Sequence, residues 1–229
     1  MPLLTGERIL LFAAILACLV VPYSALAQKP PDSADSATKK PPQAILKNDA
    51  LKLTIFLPDS ENGYYRGTRF DWSGLVGQAD YKGHTFFGPW KTTHDPKNFE
   101  DADGTAEEFG IVNPPGYDAA KVGEPFLKIG IGLLEKPKED KYKFFGTYHI
   151  VDPGKWSVRS DADWIEFEHT VGPNAEWGYR YVKRLQLTKD GFTIAHTLKN
   201  PGKKLIETDH YCHNFIRIDE QPVGVDYVM

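Results

Sequence analysis

Cysteine, helical periodicity and surplus positive charge are all scarce in this 229-residue chain. Its two cysteines are Cys18 and Cys212. Cys18 lies in a segment that reads as removable, so no intrachain disulfide is expected in the mature protein. The formal charge of −4 excludes the basic surface that nucleic-acid binding needs. Nowhere does an apolar stripe of helical period persist for about three turns. There are no internal repeats, no glycine-rich phosphate loop and no nucleophile elbow. Histidines and cysteines do not recur at metal-ligand spacing, so no metal and no other cofactor is expected.

What is present divides the chain into three parts. Residues 1–27 read as a secretory signal: Arg8 precedes "ILLFAAILACLVV", and "SALA" places small residues before a cut after Ala27. An uncleaved membrane anchor is the alternative, although the apolar run is short before Pro22. A lipoprotein reading through Cys18 conflicts with the run continuing past that cysteine. The favoured reading is export, with a mature protein that begins at Gln28, is periplasmic or extracellular and is free of the membrane. Residues 28–43, "QKPPDSADSATKKPPQ", are rich in Pro, Ser, Asp and Lys and have little to bury, so they read as a disordered linker. Residues 44–229 remain for one folded domain. A hydrophobic content of 41% and an aromatic content of 13% suit a core of ordinary size.

Within that domain the dominant period is two. "LKLTIFL" (51–57) puts Leu51, Leu53, Ile55 and Leu57 on one face. Residues 126–134, 156–160, 164–171, 179–187, 192–198 and 205–218 also read as strands. "DPGK", "KDG" and "NPGKK" supply turns between them. Short turns between the last four strands predict an antiparallel meander, and the whole predicts an all-β fold, a large antiparallel β-sandwich.

The stretch "ETDHYCHNFIRID" (207–219) is unusually polar for a strand. If extended, it places His210, Cys212 and Asn214 on one side, and Tyr211, His213 and Phe215 on the other. The first set, flanked by Ile206 and Ile216, has the character of a cleft lining for a hydroxylated ligand. A solvent-facing strand or a satisfied core histidine would produce the same pattern. His210 and His213 face opposite ways, so they cannot chelate one ion together.

"TDHYCHNF" resembles the "T-N-H-x-Y-F-N-L" signature of the aldose 1-epimerase (galactose mutarotase-like) family. The block "ENGYYRGTRFDWSGLVGQADYKGHTFFGPW" is similar to exported bacterial mutarotase-like proteins. The resemblance spans roughly residues 45–229 and is sharp over about 40 positions. It implies the supersandwich form of the fold, with His210 as the catalytic histidine and Asn214 as a sugar ligand. Asp209, Cys212 and His213 depart from the signature. Mutarotation delivers a proton to the ring oxygen and removes one from the anomeric hydroxyl, and a histidine suits the donor role. The family's catalytic glutamate lies on a later strand. Because the sequence stops at "VGVDYVM" in mid-pattern, the chain is expected to be incomplete at its C-terminus.

Further ligand candidates come from the N-terminal half. In "GYYRGTRFDW" (63–72), Trp72 could stack on a sugar, and Arg69 is the choice for the family's substrate-binding arginine. A core tryptophan with a structural Arg–Asp pair is the competing reading. His94 lies in a loop, where function is more frequent than at His84. Glu108, in "DGTAEEFGI", is a candidate ligand-binding carboxylate or a rim residue. Arg180 and Arg184 alternate as a surface ladder would. The expected partner is a small sugar or oligosaccharide. Two alternatives stay open: a non-catalytic carbohydrate-binding sandwich, and an accessory domain of a polysaccharide-degrading enzyme.

Overall fold

The computed structural model describes residues 40–172, 176–221 and 224–225. The segments read as signal and most of the linker lie outside the described residues. The described part is almost wholly β and antiparallel. One sheet contains β1 (Gln43–Lys47), β2 (Leu51–Phe56), β3 (Leu75–Tyr81) and the short β4 (His84–Thr85), in that order. A second runs β12 (Phe192–Lys199), β11 (Tyr179–Leu187), β10 (Trp164–Val171), β9 (Lys155–Ser160). A three-stranded sheet joins β6 (Pro125–Lys128), β7 (Gly132–Glu135) and β8 (Ile150–Asp152). A ribbon pairs β5 (Gly104–Phe109) with β13 (His210–Phe215), and a single 3₁₀ turn covers Ile218–Glu220.

Alternation explains how the two large sheets come together. On β2, Leu51, Leu53 and Ile55 are buried while Lys52 is exposed. On β10 and β11 the inward positions are Ile165, Phe167, His169, Val171 and Tyr179, Tyr181, Lys183, Leu185, Leu187. Leu53, Ile55 and Val76 from the first sheet share one apolar core with Ile165, Phe167 and Leu185 from the second. Each such side chain, fully buried, contributes about 1.5–3 kcal/mol. Two of the inward positions, His169 and Lys183, hold basic residues, and both are completely buried.

Three expectations change here. Residues 126–134 form a hairpin, β6 and β7, and not one strand, because Gly130 turns the chain with φ +82°. A Cβ at Gly130 would lie 2.6 Å from the Asp71 carboxylate, so the turn requires glycine. The strand expected over 205–218 is limited to His210–Phe215. That strand also leaves the meander, which consists of β9 to β12 alone. β13 pairs instead with β5, in a register from His210 opposite Phe109 to Phe215 opposite Gly104. At the far end of β5, Gly104 (φ +64°) runs against the carbonyl of Val76, where any Cβ would collide.

Candidate functional site

All six residues of β5 are buried, although Thr105, Glu107 and Glu108 are polar. Alternation sends the two consecutive glutamates to opposite faces of the ribbon. Each meets a fully buried lysine.

On the first face, the Lys183 ammonium lies 2.5 Å from Glu107 Oε2 and 3.3 Å from Asp71 Oδ2, and donates to the Ser73 carbonyl at 2.8 Å. Tyr181 adds a hydrogen bond to Asp71 Oδ2 at 3.0 Å. Outward from this ion cluster come three groups. His196 Nε2, on β12, is 3.0 Å from Glu107 Oε2. His210 Nε2, on β13, is 3.8 Å from Glu107 Oε1, and the Cys212 thiol donates to the same oxygen at 3.8 Å. His210 stacks on Phe109, and its ring centroid is 5.2 Å from that of His196. The two imidazoles are 25% and 35% exposed, so the cluster is buried at its base and open at its rim.

The electrostatics follow from that gradient. Burial alone would raise the Glu107 pKa, but the Lys183 charge and the hydrogen bond from His196 outweigh it and hold it near 2. Glu107 is therefore ionised at neutral pH. Burial would lower Lys183, yet the charges of Asp71 and Glu107 keep it raised and protonated. His210 is lowered, chiefly by burial, which favours its neutral, proton-accepting form. Burial and Glu107 together push the Cys212 thiol up, so it is a poor nucleophile.

The second face is closed. Lys128 Nζ is 3.0 Å from Glu108 Oε1, and both side chains are wholly buried. Arg69 Nε is 2.9 Å from Glu108 Oε2, with its guanidinium over the rings of Phe70 and Phe144. Burial lowers Lys128 to about 8, against the opposing pull of Glu108. His213 points to this face, stacked on Phe215 and edge-on to Phe70, with Nδ1 buried and unpartnered.

These placements bear on the ligand candidates one by one. His210 and Cys212 share the first face, and the exposed Asn214 follows on the same side of β13 in the period-two order. Trp72 is 2% exposed and donates its Nε1–H to the Gly67 carbonyl at 2.8 Å. Glu108 is fully occupied by Lys128 and Arg69. Trp72 and Glu108, both expected as ligand contacts, thus lie buried among protein partners. Arg69 pairs with Glu108 and not with Asp71, and only 11% of it is exposed. His94 lies apart, donating to the Tyr64 carbonyl at 2.7 Å and stacking on the Tyr64 ring.

Glu107, His196 and Lys183 were not singled out by sequence. For Lys183 a signal existed: in "YRYVKRLQL" it occupies the inward register between Tyr181 and Leu185. Glu107 and His196 had none, because they meet His210 only through strand pairings distant in sequence. Because the contact is long-range, no ligand spacing in the sequence announces the grouping of Glu107, His196 and His210. One donor atom from each lies within 4.8 Å of the others.

Beside Asp209 opens a cleft of about 630 Å³, lined by Val112, Asn113, Asp118, Trp177, Leu205 and Glu207 among others. It mixes an indole and aliphatic groups with amide and carboxylate side chains, and none of the expected ligand residues lines it. The fold and site together define an all-β antiparallel sandwich with a part-exposed histidine pair above a buried ion cluster. No protein-family model, curated protein or solved structure matches the chain.

Proposed function

We propose that this protein binds a sugar and, in the manner of aldose 1-epimerases, moves a proton between His210 and the anomeric centre. What supports the reading is the pairing of two part-exposed imidazoles, His196 and His210, above the ionised Glu107. Ring opening needs an acceptor for the anomeric hydroxyl proton and a donor for the ring oxygen. Neutral His210 takes the hydroxyl proton while the bond from the anomeric carbon to the ring oxygen breaks. The ring oxygen takes a proton from the second imidazole, rotation about C1–C2 follows, and the steps reverse on closure. This reading gives His210 the acceptor role, which its burial-lowered pKa supports, where the sequence signature suggests the donor role. Asn214 is the remaining candidate to bind a hydroxyl from the same strand face. Export, which rests on the "SALA" site, would put this chemistry outside the cytoplasm.

A second reading, sugar binding without turnover, is favoured by the cleft beside Asp209. An indole with amide and carboxylate groups is a common way to hold a sugar by stacking and hydroxyl contacts. Polarimetry of freshly dissolved aldose anomers, with calorimetry on the same sugars, separates the two. For the catalytic reading, His210→Ala should lower turnover by about 10²–10⁴, and His213→Ala far less. Binding without turnover supports the second reading, and failure to bind any sugar sinks both.

A further inference from the structure

We propose that Glu107, His196 and His210 form a binding site for one divalent transition-metal ion of the zinc type. The inference goes beyond the sugar reading and does not rest on it. Three strands, β5, β12 and β13, each contribute one donor to a common point. Glu107 Oε2 is 3.0 Å from His196 Nε2, and Oε1 is 3.8 Å from His210 Nε2. Donors about 2.0–2.2 Å from one ion stand roughly 3–3.5 Å apart, so a small swing of the imidazoles brings them to ligand geometry. Both rings are part-exposed and have room to make it.

The charge balance favours a cation. Among the described residues Lys183 is the one ammonium between the Asp71 and Glu107 carboxylates, so with both imidazoles neutral, as metal binding requires, the cluster carries one net negative charge. Lys183 approaches Glu107 at Oε2, so Oε1, the oxygen turned toward His210 and Cys212, remains for an ion. Two imidazoles and one carboxylate select zinc, cobalt, nickel or copper over calcium or magnesium, which prefer all-oxygen sites. Three protein ligands at a part-exposed rim leave a coordination position for water or a substrate hydroxyl, as in zinc sites that bind substrate. An ion there occupies His210 Nε2, so the metal-bound and proton-transferring forms of His210 exclude each other.

The test titrates the full chain, without sugar, with Zn²⁺ by calorimetry and with Co²⁺ by visible absorption. One ion per chain is expected, with cobalt d–d bands of a four- or five-coordinate site. His196→Ala and His210→Ala should each weaken binding at least about 100-fold. His94→Ala and His213→Ala should leave it within about twofold, because neither side chain belongs to the cluster. Because Glu107→Gln also disturbs Lys183, the decisive variants are the two part-exposed histidines, with their folding checked by thermal melting. Absence of one-to-one binding, or binding that survives both histidine variants, overturns the site. Either result leaves the sugar reading to its own assay.

Discussion

Glu107 and Glu108 are consecutive, chemically identical and both buried in the same strand, yet they have opposite surroundings. Glu108 is enclosed by Lys128, Arg69 and aromatic rings, and both its oxygens are paired with buried or nearly buried cations. Glu107 has a lysine beneath it but two histidines and a thiol above, and these reach solvent. The closed pair stabilises one arrangement of chain, whereas the open one can exchange protons or accept an ion.

The largest expected effect tests the closed face. Glu108→Gln leaves Lys128 buried without its carboxylate and should cost about 3–5 kcal/mol in urea unfolding. A cost under about 1 kcal/mol would show that the closed pair is not structural.

The fully buried His169 comes next and provides a reference ionisable group away from the ribbon. Its Nε2–H donates to the Pro153 carbonyl at 2.8 Å, and Nδ1 lies 3.0 Å from the Tyr179 hydroxyl. Burial, outweighing the Pro153 contact, lowers its pKa from 6.5 to about 4. The unfolded chain then binds the proton more readily than the folded one. Stability is full above about pH 6.5 and is lost by roughly 3 kcal/mol as pH falls toward 4. His169→Gln should flatten that part of the pH–stability curve, and an unchanged slope would contradict the assignment.

A smaller loss is expected on the open face. Glu107→Gln leaves Lys183 with Asp71 and the Ser73 carbonyl, so the expected cost is about 1–3 kcal/mol. If it equals or exceeds that of Glu108→Gln, the comparison between the two faces fails. At the rim, His196→Ala and Cys212→Ser should each stay within about 1 kcal/mol by the same measurement, because their side chains are part-exposed.

The legible parts of the fold are the strands whose alternation is strongest. β2, β10 and β11 were readable because inward and outward residues differ sharply, as in Leu51, Leu53 and Ile55 against Lys52. β3 and β5 were harder. "LVGQADY" has only the half-buried Gln78 and Asp80 to mark its outer face, and "GTAEEF" is buried at every position. The 126–134 segment looked continuous because its glycines fit a strand pattern until the turn at Gly130 is seen. Of the site, the separation of His210 and Cys212 from His213 followed from alternation alone, and the structure shows the same two faces.

By itself the sequence determined the all-β class and which face each side chain of β13 would take, since side-chain direction in a strand is a local property with period two. Tertiary structure alone decided that β13 would pair with β5 and that β12 would bring His196 to the same carboxylate. It also decided that Lys183 would be enclosed between Asp71 and Glu107. Those contacts join residues far apart in the chain. Which strand edges meet is set by the burial of whole sheet faces, and no local pattern in the sequence encodes that.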